Sequence, residues 1–239
     1  MLVAAAVCPC PPLLVPEVAA GAAPELDAAR AACDEAVAAM IAARPELIVV
    51  VGEGARTGFH ASGARGSFRP FGVDTDVTLG TPADASRAPE SDAVLPPSLT
   101  VGAWLLARAG WTGAVRGYEV TPGRSWPVNG EDGTHIAGYA DRVGLLVMGD
   151  GTACRSVKAP GYLDERAEGV DAGIAAALRD LDAEGRLADL DAGLARDLKI
   201  SGRDPWQILL GAWDKEPGSA RLLYEDAPYG VGYFVASWT

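Results

Sequence analysis

Residues 46–54, ELIVVVGEG, limit the fold more than any other stretch of this chain. The run is β-branched with no polar alternation, so both of its faces must be covered. That is the habit of a central strand in a parallel sheet with helices packed on either side. Upstream, residues 2–8 form a second short apolar run. Between the two, Leu26, Ala29, Cys33, Val37 and Met40 or Ile41 recur at helical spacing, predicting an amphipathic helix that begins near Pro24. Strand, helix and strand in that order imply a right-handed crossover.

The alternation continues. Residues 98–110 read as a helix, 114–120 as a strand, and 141–151 as a helix end leading into another buried strand. Helices are expected over 161–180, 185–198 and 204–214, and 220–238 reads as two strands around a Pro-Tyr-Gly turn. The expected fold is a single α/β domain over 1–239, with a mostly parallel sheet between two helical layers. Residues 56–96 form a long excursion rich in Gly, Pro, Asp and Arg, of the kind that more often serves function than not. Within it, 82–97 has the composition of a flexible segment.

Charge narrows the partners. Twenty basic against 32 acidic residues leave a formal charge of −12, and the Lys and Arg residues form no cluster. Nucleic acid and anionic membrane surfaces are therefore excluded as expected partners. The longest apolar runs are strand-length, far short of the ~20 residues that cross a bilayer. The apolar N-terminus lacks a positively charged leader, so a cytoplasmic protein is expected. There, the four cysteines are expected as thiols, metal ligands or core residues rather than disulfides.

In open α/β sheets, sites lie beyond the C-terminal ends of the strands. Three such ends carry polar residues: Cys8 and Cys10 after the first, Glu53 after the second, and Asp150, Thr152 and Cys154 after a later one. Cys8, Cys10 and Cys154 offer soft ligands for zinc, but Cys-Pro-Cys has no matching second pair, and a lone cysteine is usually a small buried hydrophobe. Cys33 falls on the core stripe of its helix. Thiol chemistry at Cys8 or Cys10 would require a lowered pKa. Glu53, Asp150, Glu225 and Asp226 could bind a divalent metal or orient a substrate amine; equally, they could cap helices and turns.

The only histidines are His60, in a glycine-rich loop that could fold over a site, and His135, which reads as the first turn of a helix. They do not form a ligand pair. The stretch VGEGARTG lacks the spacing of a dinucleotide or phosphate-binding loop, and a Gly-x-Ser-x-Gly elbow is missing.

Through CPCPPLLVPE, LIVVVGEG, LPPSLTVGAWLL, MGDGTACRSVKAPGYLDERAEGVDAGI and EDAPYGVGYFVASW, in that order, nearly the whole chain resembles the LigB-like superfamily. This is the catalytic-subunit fold of class III extradiol ring-cleavage dioxygenases, and it also includes the Memo-type proteins. The likeness is greatest to an actinobacterial branch of proteins similar to that catalytic subunit. The resemblance implies Fe(II) held by two histidines and a carboxylate, with a further histidine as acid/base. This chain has Cys10 at the first ligand position and Glu53 and Gly54 nearest the second. Thr152 or Cys154 stands at the acid/base position after the Gly-Asp pair, and Glu225 or Asp226 at the carboxylate.

The resemblance thus nominates Cys10, Asp150 and Cys154 as catalytic positions, Glu53 and His60 as substrate contacts, and Cys10 with Glu225 as metal ligands. Two readings stay open. One is a non-catalytic homologue or subunit that has lost the iron site. The other is an enzyme with a Cys/Glu/His metal site rebuilt for iron or zinc, acting on an aromatic or other small molecule. Association with itself or with a related subunit is implied in either case.

Overall fold

The computed structural model describes residues 1–80, 94–214 and 218–239. The ELIVVVGEG run becomes strand β2 (Leu47–Glu53), and the N-terminal run becomes β1 (Leu2–Cys8). Between them lie a short helix α1 (Pro16–Ala19) and the long helix α2 (Asp27–Ala42). Pro24 does not start the long helix but sits inside a 3-10 segment, Ala20–Leu26, that precedes it.

Beyond β2, the excursion carries three short strands, β3 (Gly58–His60), β4 (Arg65–Ser67) and β5 (Asp76–Thr78). The chain continues through α3 (Pro97–Arg108), β6 (Ala114–Val120), α4 (Trp126–Ala137) and β7 (Val143–Met148). It closes with α5 (Ala167–Asp180), α6 (Ala192–Asp197), α7 (Arg203–Ala212), β8 (Ala220–Asp226) and β9 (Tyr233–Trp238). The flexible segment expected over 82–97 lies, up to residue 93, outside the described residues.

The strands form one seven-stranded sheet in the order β3-β6-β2-β7-β1-β9-β8, with β4 and β5 paired apart from it. β6, β2, β7 and β1 run parallel, while β3 pairs antiparallel with β6 at one edge, β9 antiparallel with β1, and β8 antiparallel with β9 at the other edge. β7 inserts between β1 and β2, so the first crossover does not join neighbouring strands.

Alternate residues of the buried strands feed two cores. Val49, Val51, Leu145 and Val147 join Trp206 and Trp238 on the α4/α5/α7 side. Ile48, Val50, Leu146 and Met148 join Cys33, Met40 and Leu99 on the α2/α3 side. Each fully buried aliphatic side chain here contributes about 1.5–3 kcal/mol relative to exposure. The three-layer α/β/α arrangement follows from this two-sided burial.

Helix α4 lies earlier than the helix expected to start at His135 and to end near residue 141; residues 138–142 are turn and bend. Its residues, WPVNGEDGTHIA, include Pro127, Gly130 and Gly133, a poor helical composition. Those glycines instead let α4 and α7 meet backbone to backbone: a Cβ on Gly133 would land on the Ile208 carbonyl oxygen, and one on Gly211 on the Gly130 carbonyl oxygen. His135 accordingly sits in the last turn of a helix, not the first. The helix expected over 161–180 begins only at Ala167, after Tyr162 takes a left-handed φ of 63°. The one expected over 185–198 shrinks to α6, where the Asp191 carboxylate caps the N-terminus by accepting from the Leu194 N–H at 2.8 Å. Among the described residues, no helix is long and apolar enough to cross a membrane.

Candidate functional site

The parallel strands deliver three of the nominated side chains to one end of the sheet. Cys10 follows β1, Glu53 ends β2, and Asp150 follows β7. The loops after β1 and β7 are pinned together: the Cys10 N–H donates to Asp150 Oδ1 at 2.8 Å, and the Gly149 N–H to the Cys8 carbonyl at 3.1 Å. Asp150 is held from the other side by the turn before α7. Its N–H donates to Ser201 Oγ at 3.0 Å, and its carbonyl accepts from the Gly202 N–H at 2.9 Å. At the end of β2, the Ser98 hydroxyl of α3 donates to the Glu53 carbonyl at 2.6 Å.

This end of the sheet favours protons. Burial, with Asp204 and Asp150 adding negative charge, pushes the Glu53 carboxyl up to about 7. Burial likewise raises Asp150 to about 6, against the opposing hydrogen bonds from Cys10. The Cys10 thiol is pushed well above its ordinary value by burial and then by the charges of Asp150 and Glu53, outweighing the Ser201 hydroxyl that favours thiolate. Tyr233 of β9 is raised by burial and by the same two neighbours, Asp150 and Cys10. Near neutrality Cys10 is a thiol, and Glu53 and Asp150 both titrate within reach of physiological pH.

Glu53 opens into a cavity of about 300 Å³ between the β6–α4 turn and the α6–α7 segment. Asp204 forms one wall, and its charge is partly offset. It accepts from the Gly123 N–H at 3.0 Å, the Arg124 N–H at 2.9 Å, Asn129 Nδ2 at 2.9 Å and the Arg203 guanidinium at 3.2 Å. Arg203 in turn donates to the carbonyls of Leu190 and Arg124, fixing the turns that frame the opening. Arg196 and Lys199 complete the lining, with Ser201.

The other nominated residues lie elsewhere. Cys154 is buried among apolar residues, and its thiol donates to the Leu198 carbonyl at 3.6 Å. Thr152, equally buried, gives both its N–H and its hydroxyl to the Asp171 carboxylate at 2.9 Å, which anchors the post-β7 loop to α5. Glu225 sits on the edge strand β8, two strands from β1, with Arg179 at 3.7 Å. Asp226 is exposed beside it and caps the Ala227 N–H at 2.7 Å. Cys8 is fully buried against α2. Its thiol is raised first by a hydrogen bond with Cys33 and then by burial.

His60 does not reach over the crevice. It lies on β3, buried, with Nε2 at 2.7 Å from Glu119 Oε2 of β6. Glu119 stands in register beside Gly52, the residue facing Ser98 of α3, whereas Glu53 faces the α7 side next to Asp204. Burial works to raise the Glu119 carboxyl, but the His60 ring and the N–H groups of Arg56 and Ala55 hold it below the usual range. His135 is exposed on α4 and bonds the Tyr139 hydroxyl at 3.0 Å.

Among the described residues, no three His, Cys, Asp or Glu side chains come together as a cation site. The Fe(II) set implied by the resemblance therefore does not fit. The chain's two histidines are engaged on different elements, and Cys10 and Glu225 are not neighbours. Sequence reasoning missed Ser201, Arg203 and Asp204. Their one visible signal is the Gly-Arg-Asp-Pro that opens α7, a segment whose buried charges can be read only once their partners are in place.

No protein-family model matches the chain, and no curated protein matches it. Among solved structures, the chain is similar to the crystal structure of uncharacterized protein JW3007 from Escherichia coli K12. The two are 15% identical, with 99% of each chain covered and a TM-score of 0.57. The likeness establishes a shared α/β fold across the whole chain.

Proposed function

We propose that this chain is a LigB-like, class III extradiol dioxygenase-like protein that has given up the iron site and keeps the crevice for binding a small molecule, as a non-catalytic homologue or subunit. The LigB-like assignment rests on the ordered segments quoted above and on a whole-chain α/β fold compatible with them. One observation carries the loss of iron chemistry. A site with two histidines and one carboxylate needs both histidines of this chain, and His60 is bound to Glu119 while His135 is bound to Tyr139. In the crevice itself, a protonated Cys10 and the Glu53 carboxyl, raised to about 7, stand at or nearest the positions where the resemblance calls for neutral nitrogen ligands.

The test is metal content and turnover together. Protein purified anaerobically, loaded with Fe(II) and desalted, should retain less than stoichiometric iron and should not open a catechol ring under oxygen. Stoichiometric iron with ring-cleavage absorbance would overturn the reading.

A further inference from the structure

The cavity beside Glu53 is lined by groups of both signs. Glu53 makes no salt bridge with any described residue, and the neighbouring Asp150 carboxylate adds to the negative potential there. Asp204 adds to the same negative potential, with Arg203 and three N–H donors offsetting part of its charge. On the α6 side, Arg196 and Lys199 line the same space, and neither makes a salt bridge with a described residue.

Lys199 has a second peculiarity. It closes α6 with a left-handed φ of 57°, and the Ile200 N–H returns to the Ala195 carbonyl at 2.8 Å. That is the turn in which glycine is the ordinary residue. A lysine there accepts backbone strain while placing a cation on the cavity wall, and strain of this kind concentrates at binding sites.

We propose that this cavity binds a small amino-carboxylate zwitterion, its ammonium group toward Glu53 and its carboxylate toward Arg196 and Lys199. A lone anion would meet the Glu53 and Asp150 charges. A lone cation would meet two basic side chains that have no acidic partner among the described residues. Only a ligand carrying both signs pairs with Glu53 and with the basic side chains at once. At about 300 Å³ the space lies at the lower limit for small organic ligands, which confines the class to compact amino acids. The inference rests on the reading that the crevice is kept for ligand binding without iron.

The experiment is calorimetric titration of the full chain, stripped with chelator, against glycine, β-alanine, 4-aminobutyrate and 6-aminohexanoate. Butyrate and butylamine serve as single-charge controls. At least one zwitterion should bind about ten-fold or more tightly than either control, a modest return for one added charge pair. Lys199→Gly, which keeps the helix cap and removes the cation, should lose that advantage, and so should Arg196→Ala. Glu53→Gln should lose it by weakening the ammonium end.

Zwitterions binding no better than the controls, or affinity unchanged in both Lys199→Gly and Arg196→Ala, would overturn the proposal. Because the titrations use metal-free protein, their failure is separable from that of the functional reading, which only iron-dependent ring cleavage overturns.

Discussion

The backbone N–H of Cys10 and the carboxylate of Asp150 meet at 2.8 Å, joining the loops that follow the two central strands β1 and β7. Removing the acceptor leaves a part-buried N–H without a partner, a loss of about 1–3 kcal/mol. Asp150→Ala should therefore lower unfolding stability by that amount in a urea titration. Asp150→Asn retains an acceptor oxygen and removes a carboxyl whose pKa burial raises to about 6, so at pH 8 it should be at least as stable as the native chain. Equal losses in the two variants would mean that the carboxylate charge, not the hydrogen bond, is what matters.

Glu53 has a folded-state pKa near 7 against an ordinary value of 4.5. The folded chain then holds a proton that the unfolded chain releases, so Glu53 costs stability as pH rises from about 4.5 through 7. Glu53→Gln removes that cost. Relative to the native chain it should gain on the order of 2 kcal/mol at pH 8, allowing for partial exposure, and about a quarter of that at pH 5. Urea unfolding of both proteins at the two pH values measures the difference, and a gain that is the same at both would refute the titration.

Thiolate is the reactive form of cysteine, and both Cys8 and Cys10 are held as thiols. Iodoacetamide at pH 7.5 should label both at least roughly ten-fold more slowly in the folded protein than in urea. Mass spectrometry of the digested protein assigns the rates to each site. Rapid labelling of Cys10 in the native state would restore thiol chemistry as a candidate activity.

Gly133 and Gly169 make a matched pair. A side chain at Gly133 collides with the Ile208 carbonyl of α7, whereas Gly169 faces open space in the first turns of α5. Gly133→Ala should cost about 1–3 kcal/mol by forcing α4 and α7 apart. Gly169→Ala should gain about 0.4–1 kcal/mol by restricting the unfolded chain. Thermal unfolding of the two variants should move in opposite directions.

The strands were legible because their signal is local: a β-branched run such as residues 47–51 has few other ways to bury itself. The start and extent of helix α4 were not legible, because its glycines oppose helix formation and are explained only by α7, far along the chain. The site divides along the same line. Cys10, Glu53 and Asp150 could be placed from sequence because each follows a recognisable strand. Arg203 and Asp204 look like ordinary surface charges until Gly123, Arg124 and Asn129 arrive to bond Asp204. His60 misled because a glycine-rich loop hides the short edge strand that carries it to Glu119.

Because β7 separates β1 from β2, residues 2–8 meet their strand partners only when residues 143–148 and then 233–238 have been made. At about 5–20 residues per second of synthesis, a wholly apolar ribbon waits unpaired for on the order of ten seconds. Neither half of the chain can complete the sheet by itself, so truncation at any point before β9 leaves adhesive backbone exposed. Slow translation or scarce chaperone should therefore send the chain to the insoluble fraction through the unpaired β1 ribbon.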